Sequence, residues 1–206
     1  MAGLLSNFRN TLILSAILAL VMIFSFAQAA PGGLDNQFWQ AVLRWLHVVF
    51  GILWIGLLYY FNFVQIRKMP DIPAELKPAI SKYIAPEALF WFRWSALFTV
   101  LAGLGVAFLR GHAYAMEVLS FGLAGGFGDE DRGFALMGVG VWLAIIMFIN
   151  VWGFIWPNQK IALGIKEADA DAKAKAAKTA MLFSRTNLLL SLPMLTSMAM
   201  YQTLFG

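Results

Sequence analysis

The chain has 206 residues, 61% of them hydrophobic and 13% charged, with a mean hydropathy of +0.73. Soluble domains carry about 25% charged residues, so this composition belongs to an integral membrane protein. With no cysteine, the chain excludes disulfides, zinc–thiolate sites, iron–sulfur clusters and thiol nucleophiles, and its two histidines leave little room for a multi-histidine metal centre.

Residues 1–37 form the first unit. Arg9, the run TLILSAILALVMIFSF and the segment Ala27-Gln28-Ala29-Ala30-Pro31 fit two readings. One is a secretory signal peptide and the other an uncleaved first transmembrane helix, with the second slightly preferred. Residues 38–206 form the second unit, with spans expected over 38–66, 88–109, 133–156 and 179–204. The fold class is therefore an all-α integral membrane protein: a four-helix transmembrane bundle plus a fifth N-terminal helix or signal peptide.

The segment Phe38–Ile66 carries the most information. Gln40, Arg44, His47, Gly51, Trp54, Leu58, Asn62 and Gln65 recur at steps of three and four, which puts them on one side of a helix. A polar face is costly against lipid, so it is expected to look into the bundle. His47 is the only histidine within an expected span, and Gly51 lies one turn away, where a flat ring such as a haem has room to approach. Three roles stay open for His47: a structural histidine bonded to a neighbouring carbonyl, a haem axial ligand, or a proton carrier.

The connection 67–87 carries Arg67, Lys68, Lys77 and Lys82, and 157–178 carries Lys160, Lys166, Lys173, Lys175 and Lys178. The connection 110–132 has only Arg110 and Arg132 against Glu117, Asp129, Glu130 and Asp131. Counting Lys and Arg places the first two inside and the third outside, with the N-terminus cytoplasmic and the C-terminus periplasmic. The +4 net charge thus reflects membrane orientation, and no nucleic-acid partner is expected. Glu167–Lys178 reads as a solvated helical extension of the last span, with Asp169 and Asp171 each four residues before a lysine. GLAGGFGDED, 122–131, reads as a flexible loop. Pro193 is expected to kink the last span and free a backbone carbonyl.

This topology sorts the polar residues into two levels. Arg44 and His47 lie toward the outer side, with Arg110 and His112 just beyond the next span; His112 is a second candidate haem ligand opposite His47. Toward the inner side lie Asn62, Gln65, Arg93, Asn158, Gln159, Arg185 and Asn187, with Asn150 deeper. Two readings stand for the inner group. The arginines snorkel or pair structurally, or Asn62, Arg93, Asn150, Asn158, Arg185 and Asn187 form a polar pocket able to hold an anion.

The runs WIGLLYYFNF (Trp54–Phe63), FRWSALFTVLAG (Phe92–Gly103), WPNQK (Trp156–Lys160) and SRTNLLLSLPML (Ser184–Leu195) resemble the membrane domain of the bacterial urate hydroxylase family, over about residues 38–204. Full-length members carry a cytochrome c domain after the spans. This chain has no Cys-x-x-Cys-His attachment site and is expected to have fewer spans than the family's full membrane domain. A weaker similarity, on LHVVFGILWIGLLY, is to small haem-b membrane proteins of the protoporphyrinogen oxidase and copper-resistance D type.

The resemblance implies a redox protein of a bacterial inner membrane. In it a b-type haem is held by His47 with Arg44 on a propionate, and electrons leave to a cytochrome or other separate carrier. The alternative expectation is a non-catalytic transmembrane subunit of a respiratory or photosynthetic complex. A small-molecule transporter lined by Asn62, Asn150 and Arg185 stands third.

Overall fold

The computed structural model describes residues 2–125 and 131–205. Among them are helices and turns and no strand, which lets each backbone group find its partner inside its own segment, as a lipid environment demands. After a single turn at Ala2–Leu5, helix α1 runs Phe8–Ala29, opened by Asn7, whose side chain accepts from the Asn10 N–H. Helix α2, Asn36–Tyr59, is capped by Asp35 and continues through a π-helical segment, Tyr60–Gln65, into Ile66–Lys68. Helix α3, Ala85–Leu109, is entered through Lys77–Ala79 and a second π segment, Ile80–Ile84. Helix α4 is His112–Leu119. Helix α5, Asp131–Ile149, passes through a third π segment, Asn150–Ile155, into Trp156–Ala162. Helix α6, Ala170–Leu204, starts at the N-cap Asp169 and includes Pro193.

Four helical stretches are long and apolar enough to cross a membrane: 8–29, 36–71, 77–109 and 132–162. Helix α6 holds the remaining expected span and has the length, but not the hydropathy, of the others. The cause is its inward face. Ala176, Ala180, Ser184, Asn187, Ser191, Met194, Ser197 and Tyr201 are its buried residues, at steps of three and four. They are small or hydrogen-bonding, so the face that packs is the polar one and the face toward lipid carries Leu182, Leu189 and Leu192.

Two helix pairs build the bundle: α2 against α3, and α6 lengthwise along α5 and its continuation. Trp54, Leu58, Phe92, Ala96, Met147, Val151 and Met194 join the pairs in one buried cluster. Between α2 and α3 the backbones come close where Gly103 faces His47 and Gly105 faces Leu43.

Two connections differ from expectation. The helix of α2 persists to Asp71 and that of α3 begins at Lys77, so the 67–87 loop shrinks to a short turn. The 110–132 connection is not all loop. It contains α4, which buries Ala115 and Val118 against α3 and α5. Residues 126–130 of the expected glycine-rich loop lie outside the described residues. The expected helical extension before the last span is present, since α6 begins at Ala170.

Helix α1 stands apart. Only 6% of its apolar window is buried, and it meets the bundle through the buried Ala27 and the Phe24–Phe38 ring contact at 6.2 Å.

Candidate functional site

His47 is half-buried in the α2–α3 seam, and its Nδ1 lies 2.8 Å from the Thr99 carbonyl oxygen. A carbonyl only accepts, so Nδ1 carries the proton and Nε2 is left without one in the neutral ring. This is the arrangement of a structural histidine, and also the one that orients metal-bound histidines. The ring turns its Nδ1–Cε1 edge to α3, where a Cβ at Gly103 would come within 2.8 Å of Nδ1 and 2.9 Å of Cε1. The gap at Gly51 does not open beside the imidazole; it faces the Thr99 methyl, 3.8 Å from where a Cβ would sit. Arg44 is exposed on α2.

His47 lines a cavity of about 40 Å³, otherwise walled by apolar side chains including Leu104, Phe108, Val118, Val141 and Met198. Pockets for cofactor-sized ligands run to several hundred Å³. The donor chemistry of His47 therefore suits a haem iron, but the space beside it does not hold the ring in this packing. His112 is not on the cavity wall. It is exposed at the start of α4, 6.3 Å from the Phe108 ring.

The inner polar group divides. Three of its amides converge on α6. Asn62, on the π segment after α2, donates from Nδ2 to the Leu58 carbonyl and to Ser184 Oγ, both at 2.9 Å. Asn150, at the start of the π segment after α5, donates to Asn187 Oδ1 at 2.8 Å, and Asn187 donates to the Met147 carbonyl at 2.9 Å. Asn187 is fully buried. Further along, Tyr59 Oη and Ser191 Oγ pair at 3.3 Å, and Ser197 Oγ donates to the Leu136 carbonyl. Asn62 Oδ1, Gln65 Oε1 and Trp54 Nε1 are buried without a partner, so this seam keeps unused hydrogen-bonding capacity.

The other three candidates do not join the seam. Asn158 donates to the Phe154 carbonyl of its own helix, and Arg185 is exposed on α6. Arg93 lies over the Trp156 ring at 3.9 Å and near Phe90 at 5.3 Å. Its backbone carbonyl accepts from Trp152 Nε1 at 3.1 Å. The six residues expected as one pocket are thus an amide seam, an aromatic-stacked arginine and two residues outside both.

At the opposite end a chain of donors was missed by sequence reasoning. Arg110 donates to Tyr114 Oη at 3.1 Å, and Tyr114 Oη pairs with Tyr201 Oη at 2.9 Å. Burial, then the hydrogen bond to Tyr201, pushes the Tyr114 phenol well above its usual range. It stays protonated and ties α4 to the end of α6. Ser184, Ser191, Thr99 and Tyr59 were also missed. The signal that marks the two serines is the spacing of small polar residues along α6.

Amides and hydroxyls bonded across helices hold segments together; the seam has no acid, base or nucleophile in reacting geometry. No protein-family model, no curated protein and no solved structure matches the chain.

Proposed function

We propose that the chain is a non-catalytic transmembrane subunit of a larger membrane complex, docked through α1 and the adjoining face of α2. The observation that carries this reading is the isolation of α1, an apolar helix of spanning length with only 6% of its window buried. Between α1 and α2 runs an open groove of about 560 Å³, with Met22, Phe26, Phe38 and Trp45 on its walls. Lipid tails cover apolar surface as well as protein does, so apolarity alone would not recruit a partner. The groove also carries Ala19, Ala27, Ala30, Gly32 and Ala41. Small residues let a second helix approach closely and gain packing that mobile acyl chains do not supply. The interior polar groups are meanwhile largely committed to helix pairing. The surplus of Lys and Arg at the 67–87 and 157–178 end supports an orientation with that end cytoplasmic.

The test is made on the protein in its native membrane. Mild solubilisation and native electrophoresis are expected to find it in a discrete assembly, with an intact mass that retains residues 1–30. A mature chain cleaved near Ala29, or a monomer under conditions that keep other complexes whole, would overturn the reading.

A second reading follows the urate hydroxylase resemblance, with haem b on His47 and electrons passed to a separate carrier. The Nε2 of His47, which the Thr99 hydrogen bond leaves unused, favours it, and the small cavity weighs against it. A reduced-minus-oxidised visible spectrum of the purified protein, compared with His47→Ala, decides between the two. A b-type spectrum lost in the variant would make it a haem protein.

A further inference from the structure

Among the described residues, the guanidinium of Arg93 has no acid to pair with. Glu87, the one carboxylate on α3, accepts from Trp91 Nε1 at 2.8 Å instead. Among the described residues, the Arg93 guanidinium has neither an ion-pair partner nor a hydrogen-bond acceptor. What holds it is aromatic: the Trp156 ring at 3.9 Å and the Phe90 ring at 5.3 Å. Lys160 Nζ, one turn along from Trp156, approaches the same indole at 5.7 Å. Two cations thus share one ring with no counter-charge among the described residues.

A guanidinium held over an indole spends none of its N–H groups on that contact, so they stay available to an acceptor. Together they form a planar fork, suited to two oxygens of one phosphate. Depth points to the source of the phosphate. Arg93 lies about 24 Å along α3 from Leu109, near the inner boundary of a hydrocarbon layer about 30 Å thick. Its surroundings are membrane-facing: Phe90, Trp91 and Phe154 are exposed, and Trp94 and Trp152 pack edge-on at 5.5 Å behind it. A soluble anion would have to enter this aromatic belt, whereas a lipid headgroup already resides at that level.

We propose that Arg93 and Lys160, both seated on Trp156, bind the phosphate of an anionic phospholipid. The lipid supplies the counter-charge and fastens the ends of α3 and α5 to one leaflet.

The experiment uses the full chain in vesicles. Tryptophan quenching is measured with phosphatidylglycerol brominated on its acyl chains, and with brominated phosphatidylcholine as the uncharged reference. Wild type is expected to prefer the anionic lipid roughly fivefold or more, on the scale of one or two cations at a membrane surface. The Arg93→Gln/Lys160→Gln double variant should lose that preference, and Arg93→Lys, which keeps charge and bulk but not the fork, should retain part of it. Lys173→Gln/Lys175→Gln removes the same charge elsewhere and should leave the preference intact. Circular dichroism checks that each variant is folded; Lys160→Gln alone, a change at the helix surface, gives the reading if the double variant is not. Equal preference in wild type and the variants would overturn the proposal. An equal loss in the Lys173/Lys175 control would overturn it too, since diffuse charge would then explain the binding. Inorganic phosphate at millimolar concentration should not displace the lipid; displacement would assign the site to a free anion instead.

Discussion

At the scale of single residues, the two glycines of the α2–α3 seam separate close packing from open space. A Cβ added at Gly103 would meet His47 Nδ1 at 2.8 Å and Cε1 at 2.9 Å, closer than packed atoms come. The imidazole is tied to the Thr99 carbonyl on the same helix, so it has little freedom to retreat. Gly103→Ala should therefore destabilise by about 1–3 kcal/mol, the usual cost of overpacking. Gly51→Ala meets only the Thr99 methyl, at an ordinary 3.8 Å. It should be neutral or stabilising by up to about 1 kcal/mol, because alanine favours the helix that glycine weakens. Reversible unfolding in mixed micelles measures both. Equal costs would mean that the seam relaxes around His47. The contrast also corrects the sequence argument, in which Gly51 was the close neighbour of the histidine. One turn along the same helix is near in sequence, but the ring of His47 reaches across to α3.

At the scale of elements, α6 shows what a sequence conveys and what it hides. The existence of spans was legible because apolar runs of spanning length admit few other structures. Their inward faces were half legible. The face through His47, Trp54, Leu58 and Asn62 was readable from spacing, because polar residues at steps of three and four must share a side. Which polar residue meets which was not, because Asn150–Asn187 and Asn62–Ser184 join segments far apart in sequence. The π segments at Tyr60–Gln65 and Asn150–Ile155 add to this, since each changes the helical phase that spacing arguments extrapolate. Arg93 and Arg185 looked alike in sequence, yet one is held by Trp156 and the other is exposed. Hydropathy misleads most at Asn187. Asn187→Leu makes α6 more apolar but strands Asn150 Nδ2 and the Met147 carbonyl, both of which it now satisfies. The variant should be less stable by about 1–2 kcal/mol, the range of interhelical hydrogen bonds in membranes. Its neighbour Thr186 is exposed and bonds only to Leu182 of its own helix, so Thr186→Leu should stay within about 0.5 kcal/mol. The same unfolding measurement applied to the pair tests whether the seam, and not apolarity, holds α6.

At the scale of the whole molecule, the question is whether α1 belongs to the fold or to its partners. The bundle of α2 to α6 closes on its own core, and the residues of that core all lie between Trp54 and Met194. Helix α1 adds one buried side chain, Ala27, and one ring contact, Phe24 with Phe38. Cutting the chain between the two should therefore leave the bundle intact. A protease site placed at Gly32–Gly33, in the exposed turn before α2, allows the cut after the full protein has inserted and been purified. Using the folded chain avoids confusing loss of packing with failed insertion. The thermal midpoint of the cut bundle in detergent should match the uncut protein to within a few degrees, since so little apolar contact is lost. Helix α1 should separate from it on size exclusion. If α1 stays bound, or if the bundle melts on cutting, α1 is an internal helix of this fold and its apolar faces serve the monomer. If it departs and the bundle holds, the fold does not need α1, and the helix is free to pack against a neighbouring subunit as proposed.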